Sequence, residues 1–194
     1  MVYDKGEIDK GVVLSQWMVD EWGGDIRKWL EYWALYPDAY LDAIHDDEED
    51  KNFKLLPYQR IFLRAMARYK TVSITATRGM SKSFSIYLGG FLRCVFSPGL
   101  RMCIVADVKK TVIMTAKQKF DEIFMHWPLL EFELKTRADD GEQGQKKSSD
   151  YYELLFKNDS VLTVISKDSS RGLREHSIVY EESAGMEDFW NCAA

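Results

Sequence analysis

The sequence is poor in cysteine: Cys94, Cys103 and Cys192 are scattered, and none belongs to a C-x-x-C pair. That excludes a disulfide-stapled scaffold and a cysteine zinc site, and it suits free thiols in a reducing compartment. Histidine is equally sparse, and His45, His126 and His176 fall in no metal-ligand spacing. No stretch approaches the roughly 18 uncharged apolar residues of a membrane span. The start Met1-Val2-Tyr3-Asp4-Lys5-Gly6-Glu7 is too charged for a signal peptide. A soluble, cytoplasmic protein with no membrane partner is expected. Positive charge is not in excess either: 26 Lys and Arg face 31 Asp and Glu, a net charge of −5. That argues against coating nucleic acid by bulk charge and leaves room for a local basic groove. Apolar and aromatic residues, by contrast, are plentiful. Ten Phe, ten Tyr and six Trp in 194 residues, 46% of them hydrophobic, allow a sizeable core and exclude disorder as the whole story.

Residues 1–54 read as a helical segment. Ile26, Trp29, Leu30 and Trp33 recur at helical spacing behind Asp25, a capping residue, and Pro37 starts a second short helix through Ile44. Trp29, Trp33, Tyr36 and Tyr40 make a helix-packing surface or a partner-binding one. The acidic run Asp46 to Asp50 reads as a solvated loop. Residues 55–194 have a different character. Ile61, Phe62, Ala65, Met66 and Tyr69 mark one face of a helix. Val72, Ile74 and Ala76 then alternate with Ser73, Thr75 and Thr77 as a strand would. A polar turn leads into a helix from Lys82 to Phe96, stopped by Ser97-Pro98-Gly99. Arg101 to Ala106 is a short apolar strand, and Val108 to Phe124 a long helix ending before Pro128. Strand, helix, strand, helix predicts an α/β fold with right-handed crossovers and a mostly parallel sheet flanked by helices. Arg137 to Asp150 reads as a mobile loop. Tyr152, Leu154 and Phe156, with Val161, Thr163 and Ile165 across Asn158-Asp159-Ser160, form an inserted β-hairpin. Ser177 to Tyr180 is a last strand, ending in Glu181-Glu182.

The turn before the Lys82 helix carries the strongest chemical signal. Ala76-Thr77-Arg78-Gly79-Met80-Ser81-Lys82-Ser83 matches the phosphate-loop form G-x-x-x-x-G-K-[ST], with Ala76 and Ser81 in place of its glycines. Backbone N–H groups at a helix start favour a polyanion. Lys82 would reach the β- and γ-phosphates of ATP, and Ser83 would hold Mg²⁺. A plain strand–helix turn with a surface lysine would look similar. Glu181 and Glu182 close a later strand, as a Walker B element does: the first acid orients the Mg²⁺ shell and the second handles the attacking water. A solvated strand end is the alternative. Tyr58 and Gln59, in Leu56-Pro57-Tyr58-Gln59, could read an adenine edge or simply open a helix. Arg78 within the loop, and Arg171 and Arg174 around Gly172, are candidates for stabilising charge on a transferring phosphoryl group.

Taken together these residues resemble the N-terminal ATPase domain of a tailed-bacteriophage terminase large subunit. The resemblance runs from Ile26-Arg27-Lys28-Trp29-Leu30 and Pro37 through Leu56-Pro57-Tyr58-Gln59 and Thr77-Arg78-Gly79-Met80-Ser81-Lys82-Ser83. It continues to the Asn158 hairpin, Ser170-Arg171-Gly172-Leu173-Arg174 and Val179-Tyr180-Glu181-Glu182-Ser183-Ala184-Gly185. It implies a P-loop NTPase fold of the ASCE type, with ATP and Mg²⁺ as cofactors. It implies Lys82 as the phosphate lysine, Ser83 and Glu181 as Mg²⁺ contacts, Glu182 as the catalytic carboxylate and Arg78 as the loop arginine. It also implies a homo-oligomeric ring in the host cytoplasm, working at the portal protein of a procapsid with a small terminase subunit and double-stranded DNA. Lys109, Lys110, Lys146 and Lys147, with Lys117 and Lys119 nearby, are candidate DNA contacts or solvated charges.

The chain departs from that family in having no coupling motif and no nuclease carboxylates before Ala194. It therefore reads as a fragment, with an unprotected sheet edge after Tyr180 and weak or absent ATP turnover. Another nucleic-acid-dependent ATPase such as a helicase, and a non-hydrolysing nucleotide-fold scaffold, are the competing expectations.

Overall fold

The computed structural model describes residues 20–45, 53–106, 109–136, 144–148, 150–167 and 175–181, without side chains at 109–111. The chain forms two compact units, Met1–Met80 and Ser81–Ala194. Among the described residues no helix is long and apolar enough to cross a membrane.

The first unit is helical. Helix α1, Ile26–Leu35, starts at Asp25, whose side chain accepts from the Arg27 N–H at 3.2 Å. Helix α2, Pro37–Ile44, begins on its proline, whose missing N–H would have had no partner there. Helix α3, Pro57–Arg68, does the same. Aromatic rings join α1 to α2: Trp29 meets Trp33 at 5.6 Å between ring centroids, and Trp33 meets Tyr40 at 5.4 Å. Arginines at four-residue spacing on α3 clamp the other two helices. Arg64 grips Asp38 with Nε and Nη2 at 2.8 and 2.7 Å, and Arg60 grips Asp42 with Nη1 and Nη2 at 2.6 and 2.8 Å. Arg68 donates to the Leu35 carbonyl at 2.9 Å and lies 4.0 Å over the Tyr36 ring.

The second unit is a five-stranded sheet with helices. Its elements are α4 (Lys82–Phe96), β1 (Arg101–Ala106), α5 (Lys109–His126), a 3₁₀ turn (Pro128–Glu133), β2 (Gln145–Lys147), β3 (Tyr151–Leu155), β4 (Val161–Ser166) and β5 (Ser177–Tyr180). The strand order is β2-β3-β4-β1-β5. Strand β1 is apolar on both faces, as a central parallel strand should be. Met102 and Ile104 alternate with Cys103 and Val105, and all four are buried. Helix α4 comes close to the first pair: a Cβ on Gly90 would lie 3.2 Å from Ile104 Cδ1 and 3.5 Å from Met102 Cε. On the other face Cys103, Val105 and Ile165 cluster, with Tyr180 packed against them. Phe91, Phe120, Phe156 and Tyr152 fill the space between α4, α5 and the hairpin strands.

Several expectations need correction. The sheet is mixed, because β1 runs parallel to β4 and β5 while β2–β3 and β3–β4 are antiparallel. The hairpin is continuous with the main sheet, and this makes half of its pairings antiparallel. Residues 71–77 form no strand, and Val72 and Ile74 are 36% and 42% exposed. Alternation marks two faces of an extended segment, but only a neighbour's hydrogen bonds make it a strand. Within the stretch read as a loop, Gln145–Lys147 pairs with β3. On β4 the residues facing Tyr152 and Leu154 are Val164 and Leu162, one position off the expected odd-numbered set. Thr163 sits opposite Glu153 and donates to it at 3.4 Å. The acidic run Asp46 to Asp50 lies outside the described residues.

Candidate nucleotide site

Helix α4 begins at Lys82, as the sequence pattern predicts, but the strand that a phosphate loop needs before its turn is missing, since residues 71–77 form none. Lys82 and Ser83 are its first two residues, both half-buried. Its N-cap, Ser81, adopts a left-handed backbone with φ 47° and ψ 36°, and its side chain makes no capping bond. Its carbonyl accepts from the Ser85 N–H at 3.0 Å and from the Ser85 hydroxyl at 3.1 Å. Helix geometry leaves first-turn N–H groups no carbonyl a turn behind them, and no acidic residue lies in that turn. A helix start left this way is suited to an anion.

The preceding residues close the first unit. Arg78 and Gly79 form an exposed turn, followed by a bend at Met80. Gly79 has φ +85°, and a Cβ there would meet nothing within 4 Å. The backbone angle, not lack of space, calls for glycine. Thr77 is exposed, and the segment that leads to it is irregular.

Glu181 follows β5 directly. Its N–H donates to the Val105 carbonyl at 2.9 Å, which carries the β1–β5 ladder one residue past Tyr180. Because β5 and β1 are parallel, Glu181 stands at the strand ends reached by Ala106. Its charge acts on Tyr87, four residues after Ser83 on α4. Burial, and then the Glu181 carboxylate, push the Tyr87 phenol above its ordinary range. The Tyr87 ring packs edge-on against Phe120 at 5.5 Å, and its fully buried hydroxyl has no hydrogen-bond partner among the described residues. A buried hydroxyl left unpaired costs about 1–3 kcal/mol. No sequence pattern singled out Tyr87; only its i, i+4 relation to Ser83 could have done so.

The other expected site residues divide. Tyr58 is half-buried and Gln59 buried, both on α3 in the first unit. The Gln59 Oε1 accepts from the Leu56 N–H at 2.8 Å, so the amide caps its own helix. Leu56 has no polar side chain to return the bond, and its neighbour Pro57 supplies no N–H. Glu182, Arg171 and Arg174 lie outside the described residues, as do the side chains of Lys109 and Lys110. Lys146 and Lys147 sit on β2 at the sheet edge opposite β5. Lys109 and Lys110 begin a helix that follows β1, so the two lysine pairs belong to separate elements. Lys117 and Lys119 pair with Asp121 and Glu122 on their own helix.

In chemical terms, the second unit offers a lysine, a hydroxyl and first-turn N–H groups at one helix start. A carboxylate within electrostatic reach of the same helix and an unsatisfied buried donor accompany them. This donor set suits a polyphosphate with a hard divalent cation, which takes oxygen ligands from a hydroxyl, a carboxylate and phosphates. Comparison with protein-family models and with curated proteins finds no match to the chain.

Proposed function

We propose that the chain is the ATPase domain of a tailed-bacteriophage terminase large subunit, which hydrolyses ATP with Mg²⁺ to drive double-stranded DNA into a procapsid. One observation carries this reading: the helix that opens with Lys82-Ser83 packs on β1, and β1 pairs in parallel with the strand that ends in Glu181. Two motif halves 98 positions apart in sequence, Ser83 and Glu181, thus belong to neighbouring elements of one unit.

In this reading the Lys82 ammonium binds the β- and γ-phosphates, and the first-turn N–H groups of α4 orient them. Ser83 and Glu181 would hold the cation, which when bound offsets charge on the phosphate oxygens. Glu182 takes the proton from the attacking water, and Arg78 stabilises negative charge on the transferring group. The working protein would be a ring in the host cytoplasm, at the portal vertex, together with the small terminase subunit.

Titrating the 194-residue chain with a fluorescent ATP analogue and Mg²⁺ tests the reading. Saturable binding that Lys82→Ala weakens at least tenfold, with the unfolding midpoint unchanged, is the expected result. A wild-type chain that binds no nucleotide would sink the ATPase reading and leave the scaffold one.

A further inference from the structure

Building on that reading, we propose that Tyr87 is a positioning residue of the site: its buried hydroxyl is the donor that holds the Glu181 carboxylate in place when nucleotide and divalent cation are bound. The phenol is fully buried and has no hydrogen-bond partner among the described residues. Folding does not account for it. The ring's packing on Phe120 would be served as well by phenylalanine, which carries no polar atom to desolvate. The indole Nε1 of Trp33 is also buried without a partner among the described residues, so it is the nearby Glu181 carboxylate that sets Tyr87 apart.

The surroundings of Tyr87 say which use. Tyr87 follows Ser83 by four residues, so the two share one face of α4. A long helical side chain covers the turn before its own Cα, which here carries Lys82 and Ser83. Helix α4 packs on β1, and β1 pairs with β5, which delivers Glu181. The acid's backbone is fixed by the bond from its N–H to Val105, while its side chain is half-buried at the strand end. To hold a cation together with Ser83, the Glu181 carboxylate would need one fixed orientation. A phenolic O–H held rigidly by the core is a suitable donor to an oxygen that the cation leaves free.

The test is Tyr87→Phe in the 194-residue chain, with three measurements. These are the unfolding midpoint without ligand, the affinity for a fluorescent ATP analogue with Mg²⁺, and the same affinity in EDTA. The midpoint is expected to hold or rise, because an unsatisfied hydroxyl is removed. The Mg²⁺-dependent gain in affinity is expected to fall roughly tenfold, with the EDTA value unchanged. In a Glu181→Gln background the same substitution should then have little further effect, since the two side chains act as a pair. An unchanged Mg²⁺ gain overturns the proposal and leaves the ATPase reading intact. A lowered midpoint with an unchanged gain assigns the hydroxyl to the fold and overturns it too. Absence of wild-type binding with and without Mg²⁺ overturns both.

Discussion

Asp38 and Tyr87 are fully buried polar side chains, one in each unit, and their surroundings differ sharply. Asp38 receives two bonds from Arg64, and Arg60 Nη1 approaches it at 3.5 Å. Arg60 itself is held in bidentate fashion by Asp42. Every charge in that set has a geometric partner, as a buried ionic network must if it is to hold helices together. The Tyr87 hydroxyl has none among the described residues. The paired ionic set joins helices, whereas the Tyr87 hydroxyl lies within electrostatic reach of the Glu181 carboxylate without a bond to it.

The largest expected effect tests the satisfied side. Asp38→Ala leaves Arg64 buried without its partner and removes one neighbour of Arg60. A loss of about 3–5 kcal/mol is expected, read by urea unfolding with the fluorescence of Trp29 and Trp33 as the probe. A loss below about 1 kcal/mol would mean that the arginine clamp contributes little, and the contrast with Tyr87 would collapse.

A second satisfied cluster lies within the sheet unit and is predicted to rank next. The Asn158 amide donates to the Cys94 and Val95 carbonyls at 2.8 and 2.9 Å, taking up carbonyls near the C-terminus of α4. Its oxygen accepts from the Ser160 N–H and hydroxyl at 3.1 and 2.6 Å. Asn158→Ala should cost about 1–3 kcal/mol and leave nucleotide affinity unchanged. Loss of affinity out of proportion to stability would show that the hairpin reaches the site, which this comparison denies.

Buried groups that can ionise sharpen the same contrast through pH. Burial pushes the Cys94 thiol up to about 12 from an ordinary 9.0. Burial, then the charge of Glu175, does the same to Cys103. The folded chain keeps these protons where the unfolded chain has released them. Their contribution is therefore fully present below pH 9 and is lost as pH rises from 9 towards 12. Between pH 8 and 10 the unfolding free energy from urea titration should fall, by on the order of 1 kcal/mol per thiol. A flat profile would show that the thiols are not held neutral. Carrying the measurement in Cys94→Ser and Cys103→Ser chains would apportion the slope between them.

Much of this architecture was legible in the sequence because its signals are local. Pro37 and Pro57 mark helix starts, Asp25 caps α1, and Lys82 to Phe96 forms the helix its spacing predicts. The strand segments at 101–106 and 177–180 also lie where their apolar runs predict. Partnership between distant residues was not legible. Alternation over 71–77 names two faces but supplies no neighbouring strand. A three-residue strand at Gln145 depends entirely on β3 lying alongside. Arginines 60, 64 and 68 stand on one face by spacing, yet nothing local says that Asp38 and Asp42 await them. For the candidate site, Lys82, Ser83 and Glu181 could be read directly. Tyr87 could not, since a missing hydrogen bond is a property of packing alone.

Gln59 carries the smallest expected effect and separates two uses of one side chain. As a reader of adenine, Gln59 needs both its donor and its acceptor; as a helix cap, it needs only the oxygen that accepts from the Leu56 N–H. Gln59→Glu keeps an acceptor, places a negative charge at the start of α3 where the helix dipole welcomes it, and removes the amide donor. If capping is its role, stability should change by no more than about 0.5 kcal/mol, with nucleotide affinity unaltered. Gln59→Ala, which removes the cap, should cost about 0.5–1 kcal/mol. If Gln59 instead reads adenine, both substitutions should weaken binding of the ATP analogue by a similar factor and leave pyrophosphate binding alone. Because the cap is a bond already made, the pairing of a stable Gln59→Glu with a weaker Gln59→Ala, at constant affinity, is the pattern expected. It would place Gln59 with Asp38 among the satisfied groups, apart from Tyr87, whose hydroxyl has no partner among the described residues.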